Sequence, residues 1–454
     1  MEKKDTIIIG AGLTGLTTAF YLKKQNNEFL VLEKDDRVGG VIKTISKLGF
    51  TFEEGPNTGV IGNETVIELF DELRTCQIET ANDVAKKRYI LKNGSWQALP
   101  MGLMSAIKTP LFTLKDKFRI LGEPFRKRGT NPLENLAEFV KRRMGQSFLD
   151  YAIDPFVKGV YSGNPDKLIV KYALPKLYNL EQKYGSLIGG SIKKQILEKK
   201  TELQKRVNRK TFSAQGGLTS LTNSMYEQIG KDNFKLGCES ISIEPYAHGF
   251  FVTFTQNGEI KKYEAKHIIT TIPAYALPTT LPLVDKQLMQ KIANLDYAPV
   301  VEIALGFNHW KGFVPDGFGG LIPTKENSDL LGVLFMSTLF ENRSSKDGVL
   351  FNVFMGGSSK PHLVSLSDNE LLSILSKEFC TIMQCNSFEP DMINISRNMK
   401  AIPQYGIDSG ERFESVAILQ KEYPGLIIGG NLCDGIGMAD RIKQGKMLAE
   451  VTHK

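Results

Sequence analysis

The chain opens on residues whose spacing suits the holding of a phosphate: Gly10-Ala11-Gly12-Leu13-Thr14-Gly15, a G-x-G-x-x-G, with Glu33 following 18 residues after Gly15. Gly10 permits a tight turn, Gly12 lets the backbone approach a pyrophosphate, and Gly15 lets helix and strand pack closely. The pyrophosphate would rest on the positive end of the helix that starts here. A carboxylate at position 33 accepts hydrogen bonds from a ribose diol and opposes a 2′-phosphate, which argues against NADP. Other spacings that carry catalysis are missing. The five histidines (His248, His267, His309, His362, His453) include no H-E-x-x-H, and the five cysteines (Cys76, Cys238, Cys380, Cys385, Cys433) no C-x-x-C. Neither a metal centre nor a disulfide framework is expected, and no acid, base or nucleophile stands out by spacing.

The glycines need a βαβ frame around them. Thr6-Ile7-Ile8-Ile9 is a β-branched run that reads as a buried parallel strand. Leu16, Ala19, Phe20 and Lys23 recur three and four apart, which predicts a helix over 16–24, and Phe29-Leu30-Val31-Leu32 predicts a second strand that ends at Glu33. Just beyond lies Asp36-Arg37-Val38-Gly39-Gly40, an R-x-G-G that resembles the extension found in FAD enzymes of the amine-oxidase and phytoene-desaturase superfamily. Paired glycines let backbone amides close on a phosphate, and Arg37 can add charge there. Near the other end, Gly425-Leu426-Ile427-Ile428-Gly429-Gly430-Asn431 reads as a strand running into a glycine turn, with a closing helix from about Ala439. The dinucleotide is therefore expected to be FAD, held by a domain assembled from both ends of the chain.

Between those ends, Phe50-Thr51-Phe52-Glu53-Glu54 alternates and stops at Gly55-Pro56, a strand and a turn. Residues 90–205 turn helical and basic, as in 133–144 and 191–200. Strands return over 241–255 and 266–273, and 280–415 mixes strands (300–307, 332–336, 349–354) with a helix over 368–383. The expected fold class is α/β. A discontinuous Rossmann-like FAD domain (1–88, 206–278, 416–454) carries a helical, membrane-facing or inward-packing insert (89–205) and an α+β substrate domain (279–415). At 454 residues, 41% hydrophobic and 24% charged, the chain has the composition of a multidomain soluble protein. It has no apolar run of the ~18 residues a membrane span needs, and its first apolar run is too short for a signal peptide. A cytoplasmic protein is expected. A net charge of +7 fits ordinary solubility, an anionic substrate or an anionic membrane surface. Nucleic acid fits least, since zinc-finger spacings and aromatic RNA-binding motifs are missing.

Mid-chain, Lys158-Gly159-Val160-Tyr161-Ser162-Gly163-Asn164-Pro165-Asp166-Lys167-Leu168 resembles the G-V-[YF]-[AS]-G-[DN]-x-x-x-L signature of the porphyrinogen oxidases of haem biosynthesis, and Leu174-Pro175-Lys176-Leu177-Tyr178 follows as in that family. Further stretches agree, among them Lys87-Arg88-Tyr89-Ile90, Gly317-Phe318-Gly319-Gly320-Leu321-Ile322-Pro323, Ile402-Pro403-Gln404-Tyr405 and Gly435-Ile436-Gly437-Met438-Ala439-Asp440. The resemblance spans nearly the whole chain. It implies FAD-dependent, oxygen-using, six-electron oxidation of protoporphyrinogen IX or coproporphyrinogen III, with hydride passing to the flavin. It further implies that Leu321, Leu334 and Phe354 sandwich the tetrapyrrole, that Arg88 anchors a propionate, and that Gly159 turns a backbone carbonyl to the ring. For FAD it implies contacts from Gly10, Ala11, Gly12, Leu13, Thr14, Gly15, Glu33, Lys34, Arg37, Gly39, Gly40, Val41, Gly55, Pro56, Asn57, Thr58, Ser240, Ile436, Gly437 and Met438. Three positions depart from the pattern. Asn57 stands where some members have arginine, Asn398 where a tryptophan commonly lies near the flavin, and Asp440-Arg441 where the family has aspartate-cysteine.

Parts of the sequence also resemble other flavoproteins. Flavin amine oxidases resemble the chain at both ends, but many carry a lysine on the strand that here reads Val300-Val301-Glu302-Ile303; Glu302 stands near that position, and the stretch around Gly159 would go unexplained. A carotenoid or phytoene desaturase fits less well. A non-catalytic FAD carrier is opposed by the apolar trio and Arg88. Segment 103–128 pairs apolar residues (Leu103, Met104, Ile107, Leu111, Phe112, Leu114, Phe118, Ile120, Leu121) with Lys108, Lys115, Lys117, Arg119, Arg126, Lys127 and Arg128. Two readings fit it: an interfacial amphipathic segment, through which members of the family can dock on membranes, or a helical subdomain packing inward.

Overall fold

The structure is a computed structural model that describes residues 2–197 and 201–451. The last three residues of the basic run 191–200 and His453 lie outside the described residues.

Two seven-stranded sheets organise the chain. In the first, Glu2–Ile9 pairs in parallel with Phe29–Leu32 on one side and Glu259–Thr270 on the other. Leu426–Ile428, from the far end of the chain, also pairs in parallel with Glu259–Thr270. Ile7, Ile8, Leu30, Val31, Ile268 and Ile269 are buried, because helices cover both faces as a parallel sheet requires. On one face pack Leu13–Lys24, Leu218–Ile229 and Met438–Val451. The closing helix crosses the first one at Gly445, where a Cβ would meet Thr17 Cβ at 2.6 Å and Thr14 O at 2.7 Å. The other face takes Leu277, Leu281, Met289, Ile292 and Leu419, so this core draws on residues past the expected boundary at 278 and before the one at 416. The first helix begins at Leu13 rather than Leu16, since Gly15 interrupts the apolar pattern that marks helices.

The second sheet runs in the order Met392–Pro403, Tyr297–Phe307, Val349–Gly356, Leu330–Phe335, Gly319–Leu321, Tyr89–Lys92, Ser95–Ala98. The expected helical insert therefore opens with a hairpin of this sheet. Strand alternation decides what each face carries. Val301, Ile303, Leu305, Phe307, Phe351 and Val353 point into an aromatic-rich core with the helix Asp368–Met383. Ala304 and Leu350, on the opposite face, pack on Phe50 and Phe52 of the cofactor-side strand Phe50–Glu54. The helical layer has its own core around Leu136, Phe139, Val157 and Tyr161. Arg142 binds it together, bridging Glu134 (2.7 Å) and Glu181 (2.7 Å).

Candidate active site

The glycine fingerprint forms a cradle with space where a phosphate group needs it. Gly10 has φ +102, and a Cβ on Gly15 would lie 1.9 Å from the Gly10 carbonyl oxygen, so strand and helix meet backbone to backbone. A Cβ on Gly12 would meet nothing within 4 Å, which leaves open space over the first turn. No side chain caps that helix N-terminus, so its orphan N–H groups face the opening. The R-x-G-G loop folds onto the cradle: Gly39 N–H donates to Ala11 O at 2.8 Å, and Gly40, at φ +57, leaves only 3.2 Å between its would-be Cβ and Gly12 Cα. Arg37 braces its own loop. Its guanidinium donates to the carbonyls of Val38 (3.1 Å), Ile42 (2.9 Å) and Gly40 (2.6 Å), and so holds the loop that holds the space.

Glu33 is buried at the end of its strand, its Oε2 accepting from Ala11 N–H at 2.6 Å and its Oε1 from Asp35 N–H at 3.0 Å. Lys34 beside it is exposed. Cys238 N–H donates to Glu33 O at 2.8 Å, which brings Ser240, a non-glycine residue at φ +52, alongside the same corner. This arrangement fits an adenosine diphosphate moiety: a glycine cradle, an uncapped helix and an acid at the next strand end.

The opposite wall begins where strand Phe50–Glu54 ends. Gly55, at φ +99, comes so close to Val41 that its Cβ would lie 2.3 Å from the Val41 carbonyl. The turn that continues through Pro56, Asn57 and Thr58 is tied to the second sheet. Gly55 N–H donates to Glu302 Oε2 at 3.0 Å and Asn57 Nδ2 to Glu302 Oε1 at 2.7 Å. Asn352 Nδ2 donates to Glu302 Oε1 at 2.8 Å and also to Asn57 Oδ1. Burial pushes the Glu302 carboxyl up to about 8, against the pull of these hydrogen bonds. From the chain's far end, Ile436 and Gly437 lead into the helix that starts at Met438. Arg441, which stands where the family has cysteine, donates to the carbonyls of Gly430 and Cys433 and so braces the preceding glycine turn. Tyr405 closes the same turn with its hydroxyl on Asn431 O (2.9 Å) and Gly435 O (3.1 Å).

The residues expected to face substrate come from separate strands and share one sheet face. In the strands Gly319–Leu321 and Leu330–Phe335, Leu321 and Leu334 are the partly exposed positions among buried neighbours, and Phe354 interrupts a buried run in the same way. Leu321 and Leu334 at the same time pack on buried clusters, the first with Ile90, Leu111 and Phe112, the second with Phe50, Phe52 and Met336. Register explains the grouping: Gly332 lies opposite both Leu321 and Phe354, while Leu334 lies opposite Gly319 and Asn352. Gly159, on the helix Asp154–Tyr161, packs on this wall, since its Cβ would come 2.4 Å from Leu321 Cδ2. Arg88 stands just before Tyr89–Lys92, the strand parallel to Gly319–Leu321. Its guanidinium lies 4.6 Å over the Phe318 ring, and no carboxylate among the described residues pairs with it. Although the side chain reaches solvent, flanking protein strips enough water to lower its pKa. Lys87 next to it is instead paired with Asp316. Asn398 lies opposite Val300, with its Oδ1 accepting from Lys400 N–H at 3.1 Å.

Spacing alone pointed to neither Asn352 nor the role of Glu302. The available signal was a lone polar residue inside each of two apolar strands, Tyr297–Phe307 and Val349–Gly356. Such a residue must find partners when buried.

Turn 55–57 thus ties the glycine-cradle side of the chain to the sheet that carries Leu321, Leu334 and Phe354, and Arg88, without an ion pair among the described residues, lies over Phe318 of the same sheet region. Comparison with known proteins agrees. Protoporphyrinogen oxidase 2 of Arabidopsis thaliana is 28% identical, over 99% of this chain and 93% of that protein. Coproporphyrinogen III oxidase of Bacillus subtilis (strain 168) is 27% identical, over 98% and 97%. Among solved structures, a protein of Exiguobacterium sp. 255-15 provisionally named a protoporphyrinogen oxidase shares the fold at TM-score 0.81, with 22% identity and 99% of each chain covered. The fold is also that of cyclohexylamine oxidase from Brevibacterium oxydans IH-35A, at TM-score 0.69 and 14% identity over 99% and 98%. A family model, that of the flavin containing amine oxidoreductases, matches residues 13–450. That match takes in nearly the whole chain, which belongs to the flavin containing amine oxidoreductases as an FAD-dependent oxidoreductase.

Proposed function

We propose that this chain oxidises a porphyrinogen to the porphyrin with molecular oxygen as the final acceptor. The observation that carries the reading is the partly exposed wall of Leu321, Leu334 and Phe354 with the unpaired Arg88 at its edge. A flat, apolar ring bearing carboxylates at its rim is what such a wall and such a cation complement. The names of the relatives point the same way.

The fingerprint, the R-x-G-G loop, turn 55–58 and residues 436–438 would hold FAD, which would supply a two-electron acceptor, and the hard chemistry is the cofactor's. The chain's own residues bind and orient. Leu321, Leu334 and Phe354 hold the ring face and exclude water, Gly159 keeps the helix close to Leu321, and Arg88 fixes rotation by holding a propionate. Full-length protein with FAD, mixed in air with protoporphyrinogen IX or coproporphyrinogen III, is expected to produce fluorescent porphyrin. No fluorescence above the autoxidation blank with either substrate refutes the reading, and peroxide release with simple amines would replace it.

We also propose that segment 103–128 rests on a membrane surface, with the protein on the cytoplasmic face. Phe125 is 90% exposed, Phe118 72% and Leu114 71%, so these apolar side chains are not packed inward. Lys115, Lys117 and Arg119 stand among them on the helix Leu114–Leu121, and a basic rim around exposed apolar groups fits an anionic interface. Leu111 and Phe112 do pack inward, with Ile90 and Leu321, which puts this segment beside the substrate wall. No helix among the described residues is long and apolar enough to cross a membrane. Co-sedimentation with vesicles containing phosphatidylglycerol is expected; full recovery in the supernatant at low salt would remove the idea.

A further inference from the structure

Glu302 sits in the middle of Tyr297–Phe307, buried, while its neighbours Val301 and Ile303 turn the other way into the aromatic core. Its hydrogen-bonding partners are all donors: the Gly55 amide on Oε2, the Asn57 and Asn352 side-chain amides on Oε1. Both hydrogens of the Asn57 amide are taken, one by Glu302 and one by Gly55 O at 3.1 Å, and its oxygen accepts from Asn352. The amide of Asn57 is therefore locked. Asn352 is fully buried and its Oδ1 is left without a partner. Across the ladder, the residue opposite Glu302 is Phe354. One carboxyl thus touches the turn on the cofactor side and stands on the strand pair that carries the substrate wall.

We propose that Glu302 is a positioning residue of the oxidation: its carboxyl fastens turn 55–57 to the strand bearing Phe354, and so sets the cofactor and substrate walls against each other. This rests on the reading of those two walls given above. A carboxyl suits the task because both of its oxygens accept; glutamine offers one acceptor and leucine none. The groups facing it supply no countercharge. From strand Phe50–Glu54 come Glu53, a like charge, and Glu54, itself bound to Lys43 and Asn394; from Val349–Gly356 comes the neutral Asn352; from Met392–Pro403 the residue in register is Ser396. No cation among the described residues pairs with Glu302; burial raises its carboxyl to about 8 against three donors whose hydrogen bonds favour the ionised form. Its ionisation would put an unscreened charge beside a flavin lying on turn 55–57, and a charge in so dry a site perturbs the flavin's absorbance.

The test uses the full chain loaded with FAD, as wild type, Glu302→Gln and Glu302→Leu. Bound-flavin absorbance is followed between about pH 6 and 9, and FAD dissociation constants are measured by fluorescence. The expected wild-type result is a single spectral titration centred near pH 8 that is missing from Glu302→Gln. FAD affinity should fall less in Glu302→Gln, which keeps an acceptor for the two asparagine amides, than in Glu302→Leu, where three donors lose their acceptor and the fall should be about tenfold or more. FAD affinity in Glu302→Leu within about threefold of wild type overturns the proposal, and so does a spectral titration that survives in Glu302→Gln. Should Glu302→Leu fail to fold, the Glu302→Gln spectrum decides alone. None of these readouts involves a porphyrinogen, so they fail separately from the proposed reaction, which the porphyrin fluorescence assay tests.

Discussion

Replacing Arg88 with alanine separates substrate binding from everything else the protein does. Its guanidinium makes no ion pair among the described residues and stacks on Phe318 at 4.6 Å. The fold therefore stands to lose only a cation–π contact of about 0.5–1 kcal/mol, which in a chain of this size moves Tm by a few degrees at most. A propionate held by this arginine is a different matter. A hydrogen bond to a charged group contributes ~1.5–3 kcal/mol, and at ~1.4 kcal/mol per factor of ten the loss corresponds to roughly 10- to 150-fold. Because the propionate lies far from the reacting carbons, it is bound alike before and during the reaction. The loss should fall on KM, with kcat within about twofold. Arg88→Lys keeps the charge but not the planar fork, and should lie between the two. Initial rates of porphyrin fluorescence against porphyrinogen concentration give KM and kcat, while flavin absorbance and thermal unfolding confirm an intact protein. A KM within about twofold of wild type in Arg88→Ala, at full flavin content, would refute the anchoring role. A proportional loss of flavin would show instead that Arg88 serves the fold.

Other outcomes follow from the same geometry. Gly159→Ala puts a Cβ 2.4 Å from Leu321 Cδ2; a helical alanine gains up to about 1 kcal/mol over glycine, so Tm should hold while kcat/KM drops tenfold or more, and an unchanged kcat/KM would detach Gly159 from the substrate wall. Gly15→Ala would bring its Cβ to 1.9 Å from Gly10 O, prising helix from strand; the purified variant should lack the flavin absorbance bands, and normal flavin content would contradict the cradle. Paired Phe118→Ser and Phe125→Ser changes remove side chains exposed at 72% and 90%; vesicle binding should fall several-fold with thermal stability unaffected, and unchanged binding would discard that face. Glu302 titrates near 8 when folded against an ordinary 4.5, so between those values the folded chain holds a proton the unfolded chain has released, and stability falls as pH rises through that window. Denaturant unfolding of Glu302→Gln relative to wild type should therefore move in the variant's favour by a few kcal/mol from about pH 5 to 8, and a pH-independent difference would show that Glu302 is already ionised.

What could be read from the sequence was what is local along it. The cradle residues are consecutive, and each glycine answers a steric demand that no other residue meets: a positive φ at Gly10, a backbone contact at Gly15. The strands Phe29–Leu32 and Phe50–Glu54 and the helix Asp368–Met383 have the bounds their apolar patterns predict. Leu321, Leu334 and Phe354 could be named only through a family resemblance, because their grouping depends on register between strands, and register leaves no mark in residue spacing. The case of Arg37 runs the other way. An arginine beside two glycines reads as a phosphate contact; its further task could not be read from spacing, since Gly39 at φ +102 and Gly40 at φ +57 turn the backbone so that carbonyls converge on its guanidinium. Glu302 shows both limits together. It meets Asn57 across 245 residues and Asn352 across 50, and in its own strand it is a single acid among apolar neighbours. That pattern announces that partners must exist without saying which. The apolar periodicity that buries Val301 and Ile303 on one face also places Glu302 on the other, so the substrate-side strand cannot form in this register without carrying its carboxyl to the cofactor-side turn.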